Sequence, residues 1–206
     1  MAKVLDKHEH MTPPVTVDPR AELEQRWRQL CDELPDHRVE IIYHRIVISP
    51  MPGPKHNDVI FLLIEMLMPF TRLRGWRLWP DASLFLGTNM DRYRPDLTVV
   101  PRNPRLWGEH EVHADDVLLA VEVVSPSSQF DDHTLKPNFY ARSGVPLCLV
   151  VDIYDASLRL FSEPSAEGYG KEHKVAFGQP LELPGPMDVT LDTEVLWEAL
   201  RPEQAQ

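Results

Sequence analysis

Two stretches, VLLAVEVV at 117–124 and VPLCLVVDIY at 145–154, are almost unbroken apolar sequence. A strand with one face in water alternates polar and apolar residues, whereas runs of this kind belong to strands covered on both faces, as in the centre of a sheet. Between them QFDDHTLKPNFYARSGVP reads as helical in its second half and stopped by Gly144. An early helix, a run of strands, a crossover helix and another strand predict an α/β (α+β) domain, one central mixed sheet flanked by helices.

The other segments fit that frame. AELEQRWRQLCDEL follows Asp18-Pro19, a helix start signal, with Leu23, Trp27 and Leu30 at helical spacing. HRVEIIYHRIVISPMPGP reads as two short strands closed by a proline cluster. In HNDVIFLLIEMLMPF, Val59, Leu62, Leu63, Met66, Leu67 and Phe70 recur every three or four residues, predicting a helix with a wide buried face. WRLWPDASLFLG and PDLTVV read as further strands, SLRLFSEP and EGYGKEHKVAF as edge hairpins, and TLDTEVLWEAL as a last helix. A chain of 206 residues, 43% hydrophobic, can bury one good core. The expected organisation is a loose arm over 1–19, a single domain over 20–201 and a tail over 202–206.

Cys31 and Cys148 form no C-x-x-C pattern, so neither a disulfide framework nor a cysteine zinc site is implied, and a reducing cytoplasm is expected. No run is long and apolar enough to suggest a membrane span. A net charge of −11 argues against indiscriminate coating of nucleic acid, which Lys and Arg drive by displacing counterions. Local contact stays open: between Arg72 and Arg105 seven arginines meet only three acids, interleaved with Trp76, Trp79 and Tyr93. That segment is either a DNA-contacting surface or a set of solvated arginines around an aromatic core.

Two carboxylates stand where leucine or valine would cost nothing. Glu122 interrupts VLLAVEVV, and Asp96 opens the strand in RPDLTVVP. Burying an unpaired carboxylate costs several kcal/mol unless it is protonated, hydrogen-bonded, paired or bound to a metal. An arginine partner or a solvent-open strand end would answer for either acid alone. Two strand acids converging at one sheet end instead suit a shared hard cation, Mg²⁺ or Mn²⁺. Phosphodiester hydrolysis also needs a cation that stabilises charge on the phosphate, and Lys136 is the candidate. On one helix Asp132 and Lys136 would share a face, with Tyr140 a further turn along. Pro137 opposes this, because proline is tolerated only in a first helical turn; a helix starting near Thr134 would leave Asp132 outside it. His8 with His10, and His110 with His113, lack a third convincing ligand. Ser125, Ser127 and Ser128 read as shaping a strand-to-helix turn, and no phosphate-binding glycine motif occurs.

The assembled residues resemble the Uma-two family of restriction endonucleases, of the PD-(D/E)-x-K nuclease-like fold. RPDLTVVP, VEVVSPSSQFDDHTLKPNFYARSGVPLCLVVD, VEII and SPMPGPKHNDVIFLLIEML carry the resemblance, from about Val39 to Asp152. It implies a restriction-endonuclease-like core, Asp96 and Glu122 binding Mg²⁺ or Mn²⁺, and Lys136 as the catalytic lysine, since Val124 occupies the usual lysine position. Glu40 matches an acidic position of the family's early strand, completing the cluster or serving only as an edge-strand glutamate. His56 matches a histidine heading the long helix, touching the site or capping that helix, with the capping role expected. The implied activity is Mg²⁺-dependent hydrolysis of DNA by a homodimer; the alternative is a catalytically inactive binding or assembly module on the same fold.

Overall fold

A computed structural model describes residues 18–87, 89–126 and 128–200. Most of the expected arm, the tail after 201, His8, His10 and Ser127 lie outside the described residues. The elements run α1 (Pro19–Glu33), β1 (His37–Ile42), β2 (Arg45–Pro50), α2 (Pro54–Arg74), β3 (Arg77–Pro80), β4 (Leu84–Leu86), β5 (Asp91–Tyr93) and β6 (Leu97–Val100). They continue through β7 (Leu106–Trp107), β8 (Glu111–His113), β9 (Leu119–Val123), α3 (Lys136–Arg142), β10 (Leu147–Asp152), β11 (Ser157–Ser165) and β12 (Gly168–Ala176). β13 (Leu181–Leu183), β14 (Val189–Leu191) and α4 (Glu194–Leu200) complete the chain.

The expected central mixed sheet is present in the order β12-β11-β10-β9-β6-β3, with the two apolar runs as parallel neighbours β9 and β10. A second six-stranded sheet, β2-β1-β5-β4-β8-β7, stands beside it, and β13 pairs with β14 as a separate ribbon. WRLWPDASLFLG is therefore two strands rather than one. It leaves the central sheet at Asp81, whose φ of 53° turns the chain, and joins the second sheet as β4. The return crossing is Arg94–Asp96, where Pro95, lacking an N–H, ends the ladder of β5 before β6 begins. Asp81 donates its N–H to the Asp96 carbonyl at 3.2 Å, tying the two crossings together.

Alternation along β9 decides what each face covers. Leu119, Val121 and Val123 pack with Val59, Leu63 and Leu67 of α2. Ala120 and Val124, with Cys148 and Val150 of β10, face Phe139 and Tyr140 of α3 and Tyr93 of the second sheet. Glu122 belongs to this second face. Leu118, two residues before Ala120, packs instead at the edge of the first cluster. α2 starts at Pro54 and runs past Pro69 to Gly75, which closes it in the left-handed conformation (φ 71°). α1 covers the second sheet through Trp27, whose indole N–H reaches the Val39 carbonyl at 3.0 Å.

Candidate active site

The candidate site lies at the seam where the chain passes between the two sheets. β6 and β9 are antiparallel with Leu97 opposite Val121, so continuing the register by one residue sets Asp96 opposite Glu122 on the same face. Both line one cavity of about 350 Å³, together with Glu40, His56, Asp132 and Lys136. All four acids and the lysine are nearly inaccessible to solvent.

Lys136 is the hub. Its Nζ lies 3.0 Å from Glu122 Oε2, 3.3 Å from Asp132 Oδ1 and 3.5 Å from Glu40 Oε1. The Pro137 objection is resolved by the backbone. The helix begins at Gln129 and widens into a π-turn over Asp131–Leu135, so that Lys136 bonds back to Asp131. A wider turn accommodates a residue that can neither donate nor pack against the preceding carbonyl. Asp132 thus stays helical and keeps its contact with Lys136. Ser125 and Ser128 bond each other at 2.7 Å, and Ser128 donates to Asp132, building the strand-to-helix turn as expected.

Each acid is oriented separately. Tyr140 donates to Glu122 Oε1 at 2.5 Å, and the Arg94 N–H donates to Glu40 Oε1 at 2.7 Å. Asp96 accepts from Arg38 at Oδ1 (2.7 Å), and at Oδ2 from the Val123 N–H (2.7 Å) and His56 Nε2 (3.2 Å). His56 Nε2 also faces the Val123 carbonyl at 3.1 Å; with two acceptors before it, that nitrogen carries the proton. His56 therefore touches the site, beyond the capping role expected of it. Arg38 continues to Asp81 at 3.0 Å, and Asp81 is in turn paired with Arg94.

Sequence reasoning missed Arg38. Its signal was available: Arg38 and Glu40 are two apart on β1, hence on one face, while Val39 and Ile41 pack against α1. The arginine segment, by contrast, does not form one surface. Arg92 is buried over the rings of Phe85 and Trp27, Arg94 is spent on Asp81, and Arg105 on Asp115 and Asp116. Arg72, Arg77 and Arg102 are exposed but sit toward the far end of α2, whose 21 residues span about 30 Å from the cavity.

The charges do not balance. Glu40, Asp96, Glu122 and Asp132 stand against Arg38 and Lys136, an excess of two negative charges in a buried cluster. Burial pushes the Glu122 carboxyl well above its ordinary value, Lys136 opposes this, and Asp132, Asp96 and Glu40 add to it. Burial would lower Lys136, but the same carboxylates hold it well above the usual lysine range. Burial and the neighbouring carboxylates thus favour the protonated form of Glu122, while Lys136 keeps its ammonium. For Asp96, burial is overcome by the His56 hydrogen bond and the Arg38 guanidinium, which bring it down to about 2.

A divalent cation fits this excess. Asp132 Oδ1 is buried beside the Lys136 ammonium at 3.3 Å but makes no hydrogen bond of good geometry, and carboxylate oxygens accepting a single bond retain a lone pair. Among the described residues no set of three His, Cys, Asp or Glu side chains is arranged to hold a metal. Two carboxylates suffice for Mg²⁺, which usually keeps several waters and completes its shell with substrate oxygens.

A family model described as "Uma2: Putative restriction endonuclease" matches residues 24–194. The chain belongs to the Uma2 family. The expected family is therefore the right one, and its model spans both sheets. The Uma2 chain is also similar to the crystal structure of "a putative nuclease belonging to DUF820 from Anabaena variabilis ATCC 29413", with TM-score 0.64 and 15% identity over 79% of this chain and 90% of that one. At that identity the likeness establishes the fold, and it supports the mixed α/β assignment. No curated protein matches the chain. No described helix is long and apolar enough to cross a membrane.

Proposed function

We propose that this protein is a Mg²⁺- or Mn²⁺-dependent endonuclease that hydrolyses DNA phosphodiester bonds. The observation that carries the reading is the excess of two negative charges where Asp96 and Glu122 open on one cavity beside a buried lysine. The family description and the solved neighbour's title support the nuclease class. Asp96 and Glu122 would hold the ion, with Glu40 and Asp132 adding negative potential. When bound, such an ion supplies Lewis-acid charge and lowers the pKa of water. Arg38 and His56 fix the orientation of Asp96, and Tyr140 holds Glu122 Oε1. Lys136 remains protonated, placing a positive charge at the cavity wall where charge develops on the phosphate. A homodimer would present two such cavities to the two strands.

Supercoiled plasmid incubated with the protein should be nicked or linearised with Mg²⁺ or Mn²⁺ and left intact with EDTA. A second reading, a catalytically inactive nuclease-fold module, is favoured by one observation: both oxygens of Asp96 already accept hydrogen bonds. Under that reading the plasmid survives every metal.

The raised pKa of Glu122 gives the proposed metal site a pH signature. Because this carboxyl is held above its ordinary value, cation uptake below its raised pKa must expel a proton. Affinity for Mn²⁺ should rise with pH and level off once Glu122 ionises unaided. Calorimetry in two buffers of different ionisation enthalpy should record proton release that shrinks over the same range. Affinity independent of pH would remove Glu122 from the ligand set. Asp96, already ionised above about 2, contributes no such release near neutrality.

A further inference from the structure

We infer that Lys55 and the first turn of α2 form a second anion-binding element, one that holds a backbone phosphate of the nucleic acid at the rim of the cavity. The inference rests on the proposed nucleic-acid substrate but not on catalysis. Four observations carry it. Lys55 is exposed, lines the cavity, and has no carboxylate partner among the described residues, in contrast to the buried Lys136 and Arg38. Asp58, one turn further along α2, does not line the cavity.

The helix end itself is open. Gly53 at the N-cap has no side chain to accept from the first turn, and the first bond back to it comes from Asn57. The N–H groups of Lys55 and His56 are left without an intrahelical acceptor, at the positive end of a 21-residue helix. Pro54 occupies the first position, where a missing N–H costs nothing.

Arg38 Nε, a buried nitrogen of the same cavity wall that can only donate, also lacks a partner, though the residue is 8% exposed. An unpaired buried donor calls for an oxygen acceptor. A diester phosphate offers such oxygens, and Arg38 and Lys55 line the same cavity. The exposed arginines Arg77 and Arg102 do not line this cavity, so they supply a built-in control.

The test is the salt dependence of binding, read in EDTA by fluorescence anisotropy of a labelled DNA duplex against the full chain carrying Glu122→Gln, which slows cutting. Adding Lys55→Gln should weaken binding about tenfold near 0.1 M salt and lower the slope of log affinity against log salt by about 0.9, the loss of one phosphate contact. Arg77→Gln with Arg102→Gln should change neither quantity. Lys55→Gln binding with unaltered affinity and slope overturns the assignment, as does weakening by the arginine pair instead, or no duplex binding at all. Failure of the nuclease reading looks different: the Lys55-dependent slope persists while wild type with metal leaves plasmid intact.

Discussion

Glu122→Gln is expected to cut DNA about 10²–10³-fold more slowly than wild type and to take up Mn²⁺ far more weakly. The amide keeps the volume of the side chain and can still accept from Tyr140, so the packing of β9 against α3 should survive. What disappears is one ligand charge. Titration calorimetry with Mn²⁺ and a plasmid assay measure the two losses independently. Equal metal uptake by both proteins would remove the central support of the hydrolytic reading. Retained cleavage with reduced uptake would place the ion elsewhere in the cavity.

Lys136 should show the largest effect on stability as well as on chemistry. Lys136→Ala removes the ammonium that faces three buried carboxylates, leaving them uncompensated. Breaking a buried ion pair from one side costs about 3–5 kcal/mol, so the urea midpoint should fall sharply. Cleavage should vanish while metal binding persists, because the ligands remain and their negative potential grows. Mg²⁺ should restore part of the lost stability in the variant, since a cation binding only the folded state shifts the equilibrium toward it. Should the variant fail to fold, Lys136→Arg keeps the charge with a different reach; unchanged cleavage by that protein would argue against a positioned ammonium.

The apolar runs of β9 and β10, and the helix built on Val59, Leu63 and Leu67, were legible because burial on both faces or on one helical face writes a period into the residues. Asp96 and Glu122 were legible for the converse reason, as charges set in sequence that otherwise demands burial. The division of WRLWPDASLFLG between two sheets was not, because the turn at Asp81 is an ordinary residue in a left-handed conformation that leaves no glycine behind. The part of Arg38 escaped notice because a strand's outward charge and a buried cross-sheet partner look alike until the opposing strand is known. Pro137 misled in the other direction: its local rule holds for an α-turn, and the chain escapes it through a π-turn.

The seam between the sheets has one more implication. Arg38 and Glu40 come from one sheet, Glu122 from the other, Asp96 from the crossing between them, and Lys136 from the helix packed on both. The centre therefore doubles as a rivet. Substitutions at the outer edges, β12 and β7, leave it undisturbed, whereas any change in how the two sheets lean on each other is transmitted straight to the clustered charges.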